Sequence, residues 1–151
     1  MPWQIFQQQE PDLAAHGEEL IERTGMVMLG TLRKDGSPRI SPVEIVFTEG
    51  QLYLGMMWRS KKALDLLRDP RRTVHSATSD KDGSQGDFKV SRRAVEVNDL
   101  EVRSRYYDAV HEKTGWKPEE PEFHLFSIDV ESAALIEFKD EKMTHRAWRA
   151  G

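Results

Sequence analysis

Cysteine is absent from this chain of 151 residues, and the absence excludes disulfide bonds, thiolate nucleophiles and cysteine-ligated zinc. No apolar run approaches the roughly 20 residues that a membrane-spanning helix needs. A basic excess is also lacking, because the formal net charge is −4, which argues against nucleic acid as the main partner. The N-terminal residues lack the charged-then-apolar pattern of a signal peptide. We therefore expect a cytoplasmic protein with no membrane partner, folded as a single domain over residues 1–151.

The sequence motifs of common catalytic sites are missing as well. G-x-S-x-G, the P-loop and G-x-G-x-x-G do not occur, so hydrolase, NTPase and Rossmann-type functions have no support. The five histidines show no metal-ligand spacing and are interpreted as surface or packing residues. We predict no metal site and assign no catalytic residue.

The order of the predicted elements favours a mainly β protein. Helices are predicted over 9–23, Ser60 to Arg68 and about 15 residues after Asp99. Strands are predicted over Met26 to Leu32, Arg39 to Phe47, Gln51 to Met56, Arg72 to Ser76, Phe88 to Val97, Glu122 to Val130, Ala133 to Phe138 and Lys142 to Trp148. Most strands follow one another directly, so an antiparallel barrel with about three peripheral helices fits better than a doubly wound parallel sheet.

The segment from Arg59 to Lys62 places positive charge at a predicted helix start, with Ser60 as the N-cap. Helix N-termini favour negative charge, so lysines there oppose local stability unless an anion binds. Backbone N–H groups, the Ser60 hydroxyl and the ammonium groups of Lys61 and Lys62 could converge on one phosphate. The alternative is a solvated basic turn neutralised by Asp65 and Asp69.

A second segment combines two prolines with a strand. Pro38 and Pro42 flank Arg39, Ile40 and Ser41, and proline in a strand indicates a sheet edge or a bulge. Backbone groups left unpaired there could face a flat, polar heterocycle. The alternative is an ordinary edge strand that proline protects from aggregation.

Together these segments resemble the pyridoxamine 5′-phosphate oxidase-like superfamily of flavin-binding split barrels. Residues 26–76 carry a strand, a D-G-x-P turn, an R-x-S-P-V-like segment, a third strand and then S-x-K-x-x-N/D-L-x-x-D-P-R. DFKVSRRAVEV is similar to the family's fifth strand, where a G-R-A segment is more usual, and THRAWRAG is similar to its terminal Trp-Arg. The resemblance spans about residues 20–149 and implies a Greek-key split barrel that binds FMN.

The same resemblance implies a homodimer with two cofactor sites at the subunit interface and a small-molecule redox substrate. The phosphate and ribityl chain would be held by Arg39, Ser60, Lys61 and Lys62. The isoalloxazine ring would lie against Ile40, Ser41, Pro42 and Val43 and against Met56, Met57 and Trp58. Asp87, Lys89 and Trp148 would approach the ring from the second subunit.

Two departures argue against vitamin B6 oxidation. Glu44 stands where authentic pyridoxamine phosphate oxidases place a phosphate-contacting lysine, and their C-terminal substrate motif is not found. The short form and the D-P-R segment are similar to deazaflavin-dependent reductases, and other members of the superfamily bind haem. FMN is therefore the expected cofactor, with a deazaflavin or haem as alternatives, and a non-enzymatic carrier or sensor as the alternative function.

Overall fold

Seven strands and four helices make up the protein, whose computed structural model describes all 151 residues. The helices are α1 Trp3–Gln9, α2 Pro11–Glu22, α3 Lys61–Arg68 and α4 Leu100–Thr114. The strands are β1 Met26–Leu32, β2 Pro38–Thr48, β3 Gln51–Met57, β4 Arg71–Ser76, β5 Asp87–Glu96, β6 Phe123–Lys139 and β7 Lys142–Arg149. None of the helices combines the length and apolar character that crossing a membrane would require.

The strands form an antiparallel barrel, as predicted. Their order is β3-β2-β1-β4-β5-β6-β7, and an additional pairing of β3 with β6 closes six of them into a ring. Strand β7 extends the sheet beyond β6. Inward residues alternate along each strand, so Val27 and Leu29 of β1 are fully buried inside the barrel.

Strand β6 is a single strand of 17 residues where the sequence predicts two. Its pairing with β5 passes from Ser132 opposite Ser91 to Val130 opposite Arg92, so Glu131 is an extra residue in a β-bulge. The bulge shifts the alternation of buried side chains by one residue. That shift has the same signature in the sequence as a break between two strands.

The predicted helix over 9–23 corresponds to α2, and α1, which precedes it, is missed by the sequence prediction. Pro11 occupies the first turn of α2, where its missing N–H costs nothing, and it separates the two helices. Trp3 and Phe6 of α1 are buried in the core. Gly17 of α2 lies against the Phe88 ring, so closely that a Cβ atom there would be 2.4 Å from the ring.

Helix α4 covers part of the outer face of the barrel. It buries Tyr106 and Tyr107 against Phe123 and Leu125 of β6. Outward residues of β1 and of the first half of β2 remain accessible. Met28 is 37% exposed and Ile40 is 71% exposed, so this part of the sheet has no covering layer.

Candidate functional site

The turn between β3 and α3 is fixed by a histidine from β6. The backbone N–H of Arg59 donates to Nε2 of His124 at 3.1 Å, and the Trp58 ring stacks on the His124 ring with centroids 4.6 Å apart. Burial lowers the pKa of His124, which favours the neutral imidazole that this hydrogen bond requires. Nothing in the sequence singles out His124, because its partner Arg59 lies 65 residues away along the chain.

Helix α3 begins with several hydrogen-bond donors that have no acceptor within the chain. Ser60 occupies the N-cap position, but its hydroxyl caps no backbone group. Its Oγ atom is buried and has no hydrogen-bond partner. The N–H groups of Lys61, Lys62 and Ala63 donate no backbone hydrogen bond, since the first bond of the helix runs from Leu64 to Ser60. These donors and the positive end of the helix dipole suit an anionic ligand.

The carboxylate of Asp65 forms its hydrogen bonds with residues other than those at the start of α3. It is buried, and it accepts hydrogen bonds from Arg39 at 2.6 Å, Arg68 at 3.0 Å and Thr31 at 2.9 Å. Burial alone would raise the pKa of Asp65, but these three hydrogen bonds lower it below the ordinary value. Asp65 therefore joins α3 to β1 and β2 as an ionised group.

Asp65 and Asp69 therefore do not neutralise the lysines at the start of α3, as the alternative interpretation required. Asp65 is taken by two arginines, and Asp69 forms its ion pair with Arg71. Lys61 has no ion-pair or hydrogen-bond partner in the chain, and Lys62 only donates to the carbonyl oxygen of Pro42 at 3.3 Å. The basic turn is uncompensated, which contradicts its interpretation as a neutralised surface turn.

Lys61 and Arg39 line the same open cleft, of about 630 Å³, beside α3. Its other charged residues are mainly basic: they are Arg33, Lys34, Asp35, Asp65 and Arg68. The contact of Lys62 with Pro42 ties the helix start to the predicted proline-flanked segment. The structure therefore places Arg39 and Lys61 in one cleft, with Ser60 and Lys62 next to Lys61 at the helix start.

The proline-flanked half of β2 is a sheet edge, as predicted. Residues 38–44 of β2 pair with β1 alone, and pairing with β3 starts only at Ile45. Pro38 and Pro42 both fall in this half, where one side of the strand has no neighbour. The backbone of this half therefore has one free edge, on the side towards α3.

The predicted ring-contacting residues divide into two sets by exposure. Ile40, Met57 and Trp58 are 71%, 79% and 47% exposed, so their side chains are accessible; Ser41 is half-buried and Pro42 is exposed. Val43 and Met56 are core residues, 3% and 2% exposed. Their side chains face the barrel interior, so only their backbone atoms could contact a ligand.

The residues expected from a second subunit form a separate group. Lys89 of β5 and Trp148 of β7 line one shallow groove over β6, and Asp87 lies two residues before Lys89 on β5. Lys89 pairs with His75, which lies across β1 from Pro42. Three strand spacings, about 14 Å, therefore separate Lys89 from the β2 edge within one chain.

Comparison with known proteins decides the family. The family model described as pyridoxamine 5′-phosphate oxidase matches residues 13–137. The chain belongs to the pyridoxamine 5′-phosphate oxidase family. The resemblance drawn from residues 26–76 is thereby confirmed. No curated protein matches the chain.

Solved structures share the fold of this family member. A Clostridium acetobutylicum protein related to general stress protein 26, of the pyridoxinephosphate oxidase family, superposes with a TM-score of 0.69 at 14% identity, over 89% of this chain and 92% of that chain. A heme-binding protein from Mycobacterium smegmatis gives a TM-score of 0.64 at 20% identity, over 87% of this chain and 57% of that one. HutZ, a heme storage protein from Vibrio cholerae, gives 0.65 at 17% identity, over 81% and 89%.

Proposed function

We propose that this family member is an oxidoreductase that holds FMN by its phosphate at the start of α3. The observation that carries the proposal is the set of unused donors there. The Ser60 hydroxyl is buried without a partner, and the first-turn N–H groups of α3 have no acceptor. A phosphate would satisfy these donors and offset the charge of Lys61.

Each nearby residue then has a distinct part in binding. Ser60 and the backbone of Lys61 and Lys62 would donate to the phosphate, and the Lys61 ammonium would pair with it. Arg39 is already bonded to Asp65, so its guanidinium is held in place before a ligand arrives. A ligand that binds to a preorganised group loses less conformational entropy than one that must order it.

The ring of the cofactor would lie on exposed apolar side chains beside the open edge of β2. Ile40, Met57 and Trp58 are accessible there, and the stack of Trp58 on His124 fixes the indole. When bound, a flavin supplies hydride transfer, while the protein supplies binding and orientation.

We also propose that the protein is a homodimer that completes this site. The uncovered sheet exposes Met28 and Ile40, which a second copy would bury. Lys89 lies three strands from the β2 edge of its own chain, and a partner would bring a second Lys89 to that edge. The Trp148 ring packs against Phe6 of its own chain, with centroids 4.9 Å apart. Light scattering should give twice the chain mass of 17.4 kDa; a monomer at micromolar concentration would contradict the two-subunit site.

The cofactor assignment is tested by titration of the purified apo-protein with FMN and, separately, with a deazaflavin nucleotide. Quenching of ligand fluorescence reports binding, and we expect FMN to bind more tightly than about 100 μM, roughly −5.5 kcal/mol. Tighter binding of the deazaflavin would assign the same site to that alternative cofactor. Failure of both ligands at this concentration would refute the proposal.

A non-enzymatic haem carrier is the second candidate. It is favoured by two structural neighbours, one described as heme-binding and the other as a heme storage protein. A haem titration followed by absorbance tests it directly. A second measurement asks whether a panel of quinones and enones reoxidises the reduced flavin-loaded protein: reoxidation much faster than that of free flavin would exclude the carrier function.

A further inference from the structure

Residues 57–60 form the turn that joins β3 to α3, and a hydrogen bond from the Ser60 N–H to the Met57 carbonyl oxygen, at 3.1 Å, closes it. Arg59 is the third residue of this turn and has a φ angle of 57°. Residues with a Cβ atom rarely adopt this left-handed region, and glycine is the usual residue where a turn needs it. Arg59 therefore opposes the turn conformation, and a contact from outside the turn is needed to stabilise it.

His124 of β6 supplies that contact. Its Nε2 atom accepts the hydrogen bond from the Arg59 N–H at 3.1 Å, and its ring stacks on Trp58 with an angle of 13° between the ring planes. His124 is itself held in place, because it lies opposite Met56 in the β3–β6 ladder and is only 5% exposed. One buried side chain thus contacts both central residues of the turn.

The conformation of this turn determines how the phosphate-binding donors are oriented. Ser60 follows Arg59 directly, its Oγ atom is buried without a partner, and Lys61 begins α3. A change of φ at Arg59 rotates the chain that follows, so the Ser60 hydroxyl and the first N–H groups of α3 would no longer point to one place. Anion binding at a helix start requires that these donors converge.

The contact between His124 and Arg59 depends on the protonation state of the imidazole. Nε2 accepts a hydrogen bond only while it carries no proton, so the neutral ring has its proton on Nδ1. A proton on Nε2 would place two N–H donors against each other at 3.1 Å, and the hydrogen bond to Arg59 would be lost. Histidine is the side chain whose charge most readily changes near neutral pH.

The charged groups around the His124 ring act in opposite directions. Glu96 of β5 favours the protonated ring, whereas Arg103 of α4 disfavours it, and Arg103 is itself paired with Glu120. The side chain of Arg59 is exposed to solvent. Burial is the largest influence and lowers the pKa of His124, so the ring is neutral at pH 7 and takes up a proton only in acid.

We propose that His124 is a positioning residue for the phosphate site: its neutral ring holds the Arg59 turn in the conformation that presents Ser60 and the start of α3 to the phosphate, and protonation of the ring releases the turn. The inference rests on the proposed phosphate site and adds a control of its affinity by pH. Proton binding to His124 and phosphate binding at α3 then weaken each other by the same factor.

The test compares the FMN affinity of the full chain at a pH of about 7.5 and of about 5 with that of two His124 variants. His124→Gln retains an acceptor for the Arg59 N–H at both pH values, whereas His124→Phe retains a ring that can stack on Trp58 but has no acceptor. Circular dichroism checks that each protein is folded at both pH values. The FMN phosphate takes up a proton at about pH 6, and this effect cancels because it is common to all the proteins compared.

On acidification the unchanged protein should lose roughly threefold to tenfold more FMN affinity than His124→Gln. His124→Phe should bind FMN more weakly than the unchanged protein at the higher pH and should show no additional loss in acid. The control is His111→Gln, which replaces an exposed histidine of α4 and should respond to pH like the unchanged protein. Equal losses in the unchanged protein and His124→Gln would overturn the proposal, as would undiminished affinity in His124→Phe.

A second readout needs neither a variant nor a ligand. In ¹⁵N spectra of the unchanged protein, the backbone amide of Arg59 should shift with the same pH midpoint as the ring of His124, and an Arg59 amide that does not follow the ring would overturn the proposal. If the unchanged protein fails to bind FMN at the higher pH, the phosphate site is refuted and this role of His124 with it. FMN binding with equal pH responses in the unchanged protein and His124→Gln would refute the role of His124 alone.

Discussion

Replacing both lysines at the start of α3 by glutamine separates a phosphate site from a structural basic turn. The Lys61→Gln/Lys62→Gln variant keeps both side chains polar, although slightly shorter, and removes two positive charges. In the apo-protein, removal of these charges breaks few contacts, because Lys61 has no partner and Lys62 has only the Pro42 carbonyl oxygen at 3.3 Å. Effects on cofactor affinity and on apo stability should therefore have opposite signs.

The expected loss of affinity follows from the contacts available to each lysine. A charge-assisted hydrogen bond contributes about 1.5–3 kcal/mol. The unpartnered Lys61 ammonium is expected near the top of that range, and Lys62, which must share or leave Pro42, near the bottom. The sum is about 3–5 kcal/mol, or two to nearly four orders of magnitude in Kd for FMN.

Apo stability should stay the same or rise slightly. Positive charge at a helix N-terminus costs about 0.3–1 kcal/mol per residue, and its removal offsets the lost contact between Lys62 and Pro42. A gain of about 1 kcal/mol would raise the melting temperature by roughly 2–4 °C for a domain of this size. Denaturant unfolding of the apo-protein measures this quantity without any ligand.

The control is Lys113→Gln/Lys117→Gln, which removes two lysines that pair with Glu22 and Asp108 far along the chain from α3. We expect no change in its FMN affinity. Unchanged affinity in the Lys61 and Lys62 variant would refute the phosphate site. An equal loss in both double variants would show that only the overall charge of the protein matters.

Three further outcomes are expected. Asp65→Asn should destabilise the fold by about 3 kcal/mol or more, because it leaves two arginines unpaired, whereas Thr31→Val should cost only about 1 kcal/mol; equal losses in urea unfolding would contradict this. Because folding lowers the pKa of His124, the unfolded chain takes up the proton first, so stability should fall as pH drops below 6.5. His124→Gln should lose that pH dependence. A pH profile identical to that of the unchanged protein would refute the assignment of the pH dependence to His124. Gly55→Ala should destabilise by roughly 1–3 kcal/mol, because its Cβ would lie 2.2 Å from the Tyr106 hydroxyl, while Gly30→Ala, with no atom nearer than 3.6 Å, should be tolerated.

Local patterns were sufficient to predict most of the barrel. The bounds predicted for β1 agree with the structure, and those for β3 and α3 are within one residue. The errors arose where the local pattern and the tertiary structure disagree. The bulge at Glu131 shifts the burial pattern within one strand, and α1 is short and is stabilised by the burial of Trp3 and Phe6 rather than by its own periodicity.

The candidate site was predictable only in part, for a physical reason. Charge at a helix start can be read from neighbouring residues, so Ser60, Lys61 and Lys62 were identified from the sequence. The partner of an ion pair or a stacked ring is chosen by the fold. Arg39 was assigned to the phosphate, yet it bonds to Asp65, 26 residues away. His124 contacts the Trp58–Arg59 turn from β6, 65 residues further along the chain.

The pairing of the nearby carboxylates explains why the positive charge at the start of α3 is uncompensated. Asp65 lies one turn after Lys61 and could have paired with it, but Arg39, Arg68 and Thr31 occupy both of its oxygens. Those bonds fix α3 against β1 and β2, so the same carboxylate that stabilises the scaffold leaves the helix start positive. A local conflict of this kind, maintained by a buried network, is expected at a binding site rather than on an ordinary surface. The buried Ser60 hydroxyl supports the same conclusion independently of charge, because it has no hydrogen-bond partner in the chain and folded proteins rarely leave such a group unpaired.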